Sequence, residues 1–207
     1  MKENYKGYTI KIKQDEYAES PREWSTFGTI VSATQGINEV ERWINDSIKD
    51  AVNCDVDIEK ALAKHFGEIA VVLPIYRYSH GVDRFSTESF YGKLPQGHAR
   101  FDSALTGFIF ATKETTREWF KCKRVTEKIK QQAAENLKSE IDDLDTWASG
   151  DVWGYIVEDD EEEHVDSCWG YYNYEYALQA AKFEIDLVVK QINEAPETRQ
   201  PVMALLD

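Results

Sequence analysis

The sequence predicts an α+β fold, a mostly antiparallel sheet packed with several helices, on three observations. Segments with strand and helix periodicity come in pairs, in the order β-β-α-α-β-β-β-α-α-β-β-α, rather than in strict alternation. Paired runs favour antiparallel sheets over parallel sheets linked by helical crossovers. Residues 151–176 (DVWGYIVEDDEEEHVDSCWGYYNYEY) carry the signature of a hairpin, two apolar-aromatic runs joined by a polar tip. At 207 residues, with 42% hydrophobic and 13% aromatic content, the chain is large enough to bury a core. No composition break marks a boundary, so the expectation is one compact domain over 1–195 and a flexible tail over 196–207.

The elements follow in order. Residues 8–13 (YTIKIK) alternate apolar and polar side chains, the period of a half-buried strand. Ser20-Pro21-Arg22-Glu23-Trp24 reads as a turn, because Pro21 fixes φ and disfavours helix at Ser20. Residues 26–34 (TFGTIVSAT) read as a second strand, broken by Gly36. Asn38 is placed to cap a helix over 38–52, with Glu41 as reciprocal partner and Val40, Trp43, Ile44, Ile48, Ala51 and Val52 at helical spacing. After Cys54 and Asp55, Asp57 caps a helix over 58–66 that Gly67 stops. Residues 70–78 (AVVLPIYRY) are β-prone, and Pro74 places an edge, a bulge or a strand end there because it lacks a ladder donor. Residues 79–97 read as irregular structure around a short strand over 85–90, and residues 105–112 (LTGFIFAT) as a central strand.

Thr112 caps a helical turn over 113–120, and Thr126 a longer helix over 127–147 with Ile129, Ala133, Leu137, Ile141 and Leu144 on one face. The charge of that helix runs from basic to acidic, the wrong sense for its macrodipole, and reads as a solvated face. The hairpin follows, then a last helix over 174–193 with Tyr176, Leu178, Ala180, Ala181, Ile185, Leu187 and Val188 available for burial.

Chemistry-bearing motifs are sparse. The sequence has no phosphate-cradling glycine loop, no HExxH, no GxSxG and no CxxC. Cys54, Cys122 and Cys168 are odd in number and widely spaced, which argues against a disulfide framework or zinc knuckle and for a reducing cytoplasm. No apolar run approaches the roughly 20 residues that span a bilayer, and the first residues lack a signal-peptide core. His65 falls in a helix and His164 at the hairpin. His80 with Asp83, and His98 with Asp102, could form acid-base or metal-binding pairs in the irregular middle, although loop histidines beside carboxylates are commonly inert. Cys168 reads as a small buried side chain rather than a nucleophile. The expectation is a protein with no catalytic residues, no metal and no cofactor.

Charge supplies the stronger signal. The net charge is −14, and from Ser139 onward 18 acidic residues face only Lys182, Lys190 and Arg199, whereas the preceding part is close to neutral. Such a field repels nucleic acid and anionic membranes and attracts basic surfaces. Glu158, Asp159, Asp160, Glu161, Glu162 and Glu163 form the hairpin tip. Six adjacent carboxylates must reach solvent or a cationic partner, because burying them unpaired costs many kcal/mol. They could also hold a divalent cation, but without the spaced Asp/Asn and Gly of a calcium loop, or they could only keep an aromatic hairpin from sticking to other sheets. The functional reading is a row of carboxylates that imitates phosphates, extended by Asp142, Asp143, Asp145 and Asp151. Trp153, Tyr155, Trp169, Tyr171, Tyr172, Tyr174 and Tyr176 then read as core or as a protein interface rather than as base-stacking platforms.

The phrases SPREWSTFGTIV, VVLPIYRYSHG, GFIFATKETTREWF and SGDVWGYIVED…EEEHVDSCWGYYNYEY resemble a family of uncharacterised proteins from bacteriophages and mobile elements. The similarity spans residues 19–176 and departs after Val31, where the family carries a cysteine- and histidine-containing stretch followed by arginines and this chain reads Ser32-Ala33-Thr34-Gln35-Gly36-Ile37. The resemblance implies a phage or mobile-element origin and an intracellular role, and supplies no activity or catalytic residues.

Together these observations lead to an expected function: a non-enzymatic, phage-encoded anti-defence protein of the anti-CRISPR or anti-restriction type, in the host bacterial cytoplasm. Its partner would be a host defence complex with a basic nucleic-acid-binding surface, engaged without direct nucleic acid or membrane contact. The acidic residues named above would make the contact, with Trp153, Tyr155, Trp169 and Tyr171 adding specificity. Two alternatives stand beside it: a small-ligand or metal-binding protein or enzyme using the His80–His98 region, and a phage accessory protein with no defence target.

Overall fold

Two four-stranded antiparallel sheets organise the chain, each with its own core. The computed structural model describes residues 1–53, 57–94 and 101–194, so Cys54, Asp55, His98 and the 196–207 tail lie outside the described residues. In chain order the strands are β1 (Lys2–Tyr5), β2 (Tyr8–Gln14), β3 (Thr29–Ser32), β4 (Ile69–Ser79), β5 (Asp83–Ser86), β6 (Ser103–Thr112), β7 (Trp153–Glu158) and β8 (His164–Tyr171). The helices are α1 (Arg42–Asn53), α2 (Ile58–Phe66), α3 (Lys113–Trp119), α4 (Glu127–Ala148) and α5 (Tyr174–Glu194), with one 3₁₀ turn at Pro21–Glu23. Helices and antiparallel sheets segregated in this way make the α+β class expected from the sequence. The chain forms two compact units, Met1–Tyr17 with Val152–Asp207, and Ala18–Asp151. Because β2 and β7 pair directly, the second unit is an insertion between two neighbouring strands of the first. That division is topological, so the composition of the sequence carries no mark of it.

In the first unit the sheet order is β1-β2-β7-β8, and α5 covers one face. The period-two alternation of the strands turns Ile10, Ile12, Tyr155 and Val157 toward the helix, where they meet Ala177, Ala181 and Ile185. The two alanines let the helix sit close on the strands. β1 was not expected from the sequence. It pairs with β2 through a two-residue turn at Lys6 and Gly7, both at positive φ (49° and 87°), the geometry that tight hairpins require.

In the second unit the order is β3-β6-β4-β5, with helices on both faces. α4 buries Ala133, Leu137, Ile141 and Leu144 against Ile30, Ile75 and Ile109, while Ile48 of α1 and Leu62 of α2 pack with Val31 and Phe110 on the other face. Residues 105–112 are central, as expected. Pro74 lies opposite Phe108 of β6, where β5 does not extend, so the missing donor falls on a free edge beside a register shift. Asp57, Thr112 and Thr126 cap α2, α3 and α4 through their side-chain oxygens.

Several expectations are corrected. Asn38 is not a helix cap: its Oδ1 accepts the Ser32 N–H at 2.9 Å and its Nδ2 donates to Val40 O at 2.7 Å, and α1 begins only at Arg42. Trp43 points to solvent instead of the core. The short strand is Asp83–Ser86 rather than 85–90. Tyr176 and Leu187 are exposed on α5, because the core side of the helix is set by Ala177, Ala181 and Ile185. Cys168 is an exposed free thiol, not a buried one. The acidic half of α4 is also more than a solvated face, since Glu140 and Asp145 bridge to other segments.

Candidate functional site

The hairpin tip is built by its own first residues. The Glu158 carboxylate ends β7 in an ion pair with Lys11 of the adjacent strand, which removes it from the free acidic cluster. Asp159 then folds its side chain inward, and Oδ1 accepts the N–H groups of Glu161 (3.0 Å) and Glu163 (2.8 Å). Two backbone bonds close the turn, Asp159 N–H to Glu163 O at 3.0 Å and Glu162 N–H to Asp159 O at 3.2 Å, with Glu162 in the left-handed region at φ 63°. Of the six carboxylates expected at the tip, two therefore shape it. Asp160, Glu161, Glu162 and Glu163 are exposed, and among the described residues none of their side chains forms an ion pair or hydrogen bond. Four negative charges are thus displayed on a turn whose backbone is fixed. His164 follows, exposed, with Nε2 3.2 Å from Ser167 Oγ.

The aromatic residues divide sharply. Tyr155 is 2% exposed and donates its hydroxyl to Asp166 Oδ2 at 2.7 Å. Burial and then that carboxylate push its pKa far upward, so it stays a neutral phenol. It belongs to the core and has no surface to offer a partner. Trp153 packs against Tyr174 edge to face, and Tyr171 against Tyr155, both at the rim of the same core. Burial and a hydrogen bond with Cys168 push the Tyr171 hydroxyl up to about 12. Trp169 is different. Its ring lies over Gly154, where a Cβ would stand 2.2 Å from ring atom Cε3, and 45% of the residue stays exposed. Trp169 thus covers Gly154 on one side and lines a shallow recess with Lys13, Asp15 and Tyr17.

No protein-family model, no curated protein and no solved structure matches this chain.

The remaining acidic candidates belong to the Ala18–Asp151 unit. Asp145 is committed within it, accepting two bonds from Arg84 (2.8 and 2.7 Å) and one from the Phe85 N–H (2.7 Å). Asp142 and Asp143 are exposed one turn earlier on α4, and Asp151 is exposed beyond it. Partial burial, and then the neighbouring carboxylates, raise the pKa of Asp142 and Asp143. Asp143 feels Asp142 and Glu140, and Asp142 feels Asp145 and Glu88.

Of the two expected histidine pairs, the one between His98 and Asp102 involves His98, which lies outside the described residues. Asp83 accepts two hydrogen bonds from Arg77 (2.7 and 2.8 Å). The His80 ring stacks on Tyr78, and its Nδ1 lies 3.4 Å from Asp102 Oδ2. Among the described residues no three His, Cys, Asp or Glu side chains converge to hold a metal ion. Among them, too, no helix is long and apolar enough to cross a membrane.

The most completely bonded polar cluster was not anticipated. Arg22 is 6% exposed in its side chain and sits between Glu39 (2.6 Å) and Glu140 (2.7 Å), while also donating to Gly28 O at 2.7 Å. Glu140 accepts the N–H groups of Phe27 and Gly28, and Glu39 that of Ile30. Burial opposes the charge on Arg22, but Glu39 and then Glu140 outweigh it and raise its pKa. The cluster clamps the segment that leads into β3, with its two carboxylates partly exposed. The only sequence sign of it is an Arg fixed behind Pro21; its partners lie 17 and 118 residues away.

Proposed function

We propose that this is a non-enzymatic binding protein that uses the tip residues Asp160, Glu161, Glu162 and Glu163 to occupy a basic, nucleic-acid-binding surface of a bacterial defence complex. The observation that carries the reading is the turn held by Asp159, which displays four unpaired carboxylates in consecutive positions. A groove tuned to closely spaced phosphates recognises mainly charge, and the tip offers four carboxylates on four consecutive residues. The turn is preformed, so little ordering entropy opposes docking. The unit that bears the tip holds sixteen acidic residues against seven basic ones, a field that steers the protein toward cationic surfaces. Trp169 is the exposed aromatic of the same hairpin and the candidate for apolar anchoring. A phage or mobile-element origin, and action in the cytoplasm of the host, complete the reading.

The test uses purified CRISPR effector and restriction complexes immobilised in parallel, with the full chain and a D160N/E161Q/E162Q/E163Q variant as analytes. Binding to one complex that blocks its DNA loading, weakens with salt and falls at least about tenfold in the variant supports the proposal. Equal binding by the variant would refute the role of the tip. Absence of binding to every complex would remove the anti-defence reading and leave an accessory protein whose acidity serves solubility.

A further inference from the structure

In the Ala18–Asp151 unit a cavity of about 240 Å³ lies where α1 crosses the strand pair β3–β6. We propose that it binds a small monocarboxylate that also carries an O–H or N–H donor. The cavity is amphipathic: Val31, Ile48, Leu105 and Phe108 form apolar walls, and Asn45 and Lys49 bring polar groups into it.

Asn45 defines the first half of the chemistry. It is 7% exposed, and its Nδ2 donates to Ser32 O at 2.7 Å, which fixes the orientation of the amide. With the nitrogen held by the strand, Oδ1 must be the free end. Among the described residues nothing donates to it, yet it is not among the sealed polar atoms that lack a partner. Its lone pairs therefore open onto the cavity that Asn45 lines. A nearly buried carbonyl oxygen in such a place selects a ligand that donates a hydrogen bond, because a ligand without one leaves it desolvated and unpaired.

Lys49 defines the second half. It stands one helical turn after Asn45, so both side chains share a face of α1. Its present partner is Asp46 at 3.4 Å, in a pair whose side chains are 41% and 55% exposed. Such an exposed pair contributes little, so the ammonium can exchange it for a ligand carboxylate at small cost. The two polar groups thus ask for a donor and an anion on one molecule, separated by an apolar body that fits the walls. The volume, just below the range of drug-sized pockets, suits a single ring.

The experiment is an amide chemical-shift titration of the full chain with three probes: 4-hydroxybenzoate, benzoate and 4-hydroxybenzamide. The proposal predicts saturable shifts at Asn45, Lys49, Thr106 and Gly107, with 4-hydroxybenzoate tightest by about tenfold over either probe that lacks one group. Lys49→Met, at an exposed position, should remove the advantage of the carboxylate and leave 4-hydroxybenzamide binding unchanged. Asn45→Ala should remove the advantage of the hydroxyl. Where that variant loses its folded spectrum, the benzoate comparison in the native chain reads the same contact. Shifts elsewhere, equal affinities for the three probes, or no saturable shift up to about 10 mM would overturn the proposal and leave a solvent-filled recess.

Discussion

Replacing Arg22 with methionine keeps an unbranched stem and removes the guanidinium. The variant deletes the bonds to Glu39 and Glu140 and the donation to Gly28 O. It leaves two carboxylates, 27% and 17% exposed, near one another without a cation. Breaking a buried ion pair by removing one partner costs about 3–5 kcal/mol. Here the two carboxylates keep backbone N–H partners at Phe27, Gly28 and Ile30, and Glu39 retains some water, so the lower end, about 3 kcal/mol, is expected. For a chain of this size that corresponds to a fall in Tm of about 6–12 °C. Urea unfolding followed by tryptophan fluorescence, with calorimetry alongside, measures it. Adding Glu140→Gln to the Arg22→Met chain should recover part of the loss, because the neutral amide no longer faces Glu39 as a second uncompensated charge. A loss under about 1 kcal/mol for Arg22→Met, or strict additivity in the double variant, would refute the clamp.

Three further outcomes are expected. Gly154→Ala places a methyl inside the Trp169 ring, so the indole must lift; it should cost about 1–3 kcal/mol and alter the near-ultraviolet circular dichroism, and Trp169→Ala in the same chain should restore stability but not the signal. Asp159→Ala removes two acceptor bonds from the tip and should raise amide exchange at Glu161 and Glu163 without changing the global Tm by more than about 2 °C, whereas the four-residue neutral tip should leave both unchanged. Burial favours the neutral form of Asp83, but the bonds from Arg77 and Ser79 outweigh it and depress its pKa, so the stabilisation it gives exists above the ordinary carboxylate range and is lost as pH falls through the folded-state value. The stability gap between the native chain and Asp83→Asn should accordingly hold above about pH 5 and narrow as pH falls below about 4 and through the lower folded-state value; a gap that stays constant down to about pH 2 would show that the charge of Asp83 contributes nothing.

What could be read from the sequence was local. The caps at Asp57, Thr112 and Thr126, the buried stripe of α4 and the central strand β6 each depend on residues a few positions apart, and each is where the pattern placed it. The failures share a different cause. Tyr155 and Trp169 look alike in an aromatic run, yet a register shift between Trp153 and Tyr155 helps decide that one enters the core and the other covers Gly154. Glu158 looks like part of the acidic tip until Lys11, 147 residues away in sequence, is brought beside it. Asn38 has the identity of a helix cap, but β3 offers it an unpaired edge N–H at Ser32, and that nearly sealed donor is the costlier group to leave unpaired. Glu39 serves the same edge at Ile30. Side chains here complete a strand edge, which no local pattern announces.

The same bonding separates stability from binding within the hairpin. Glu158 and Asp159 spend their charge on Lys11 and on the turn, so changing them alters the fold of the tip before it alters any interface. The side chains of Asp160 to Glu163, unlike their backbone groups, make no ion pair or hydrogen bond among the described residues. Four like charges in succession repel one another, and neutral polar residues would close the same loop with less repulsion. Solubility does not require them there either, because other acidic side chains of that unit already keep its net charge far from zero. In the proposed function, it is this charge, on a backbone held by Asp159, that meets the cationic partner.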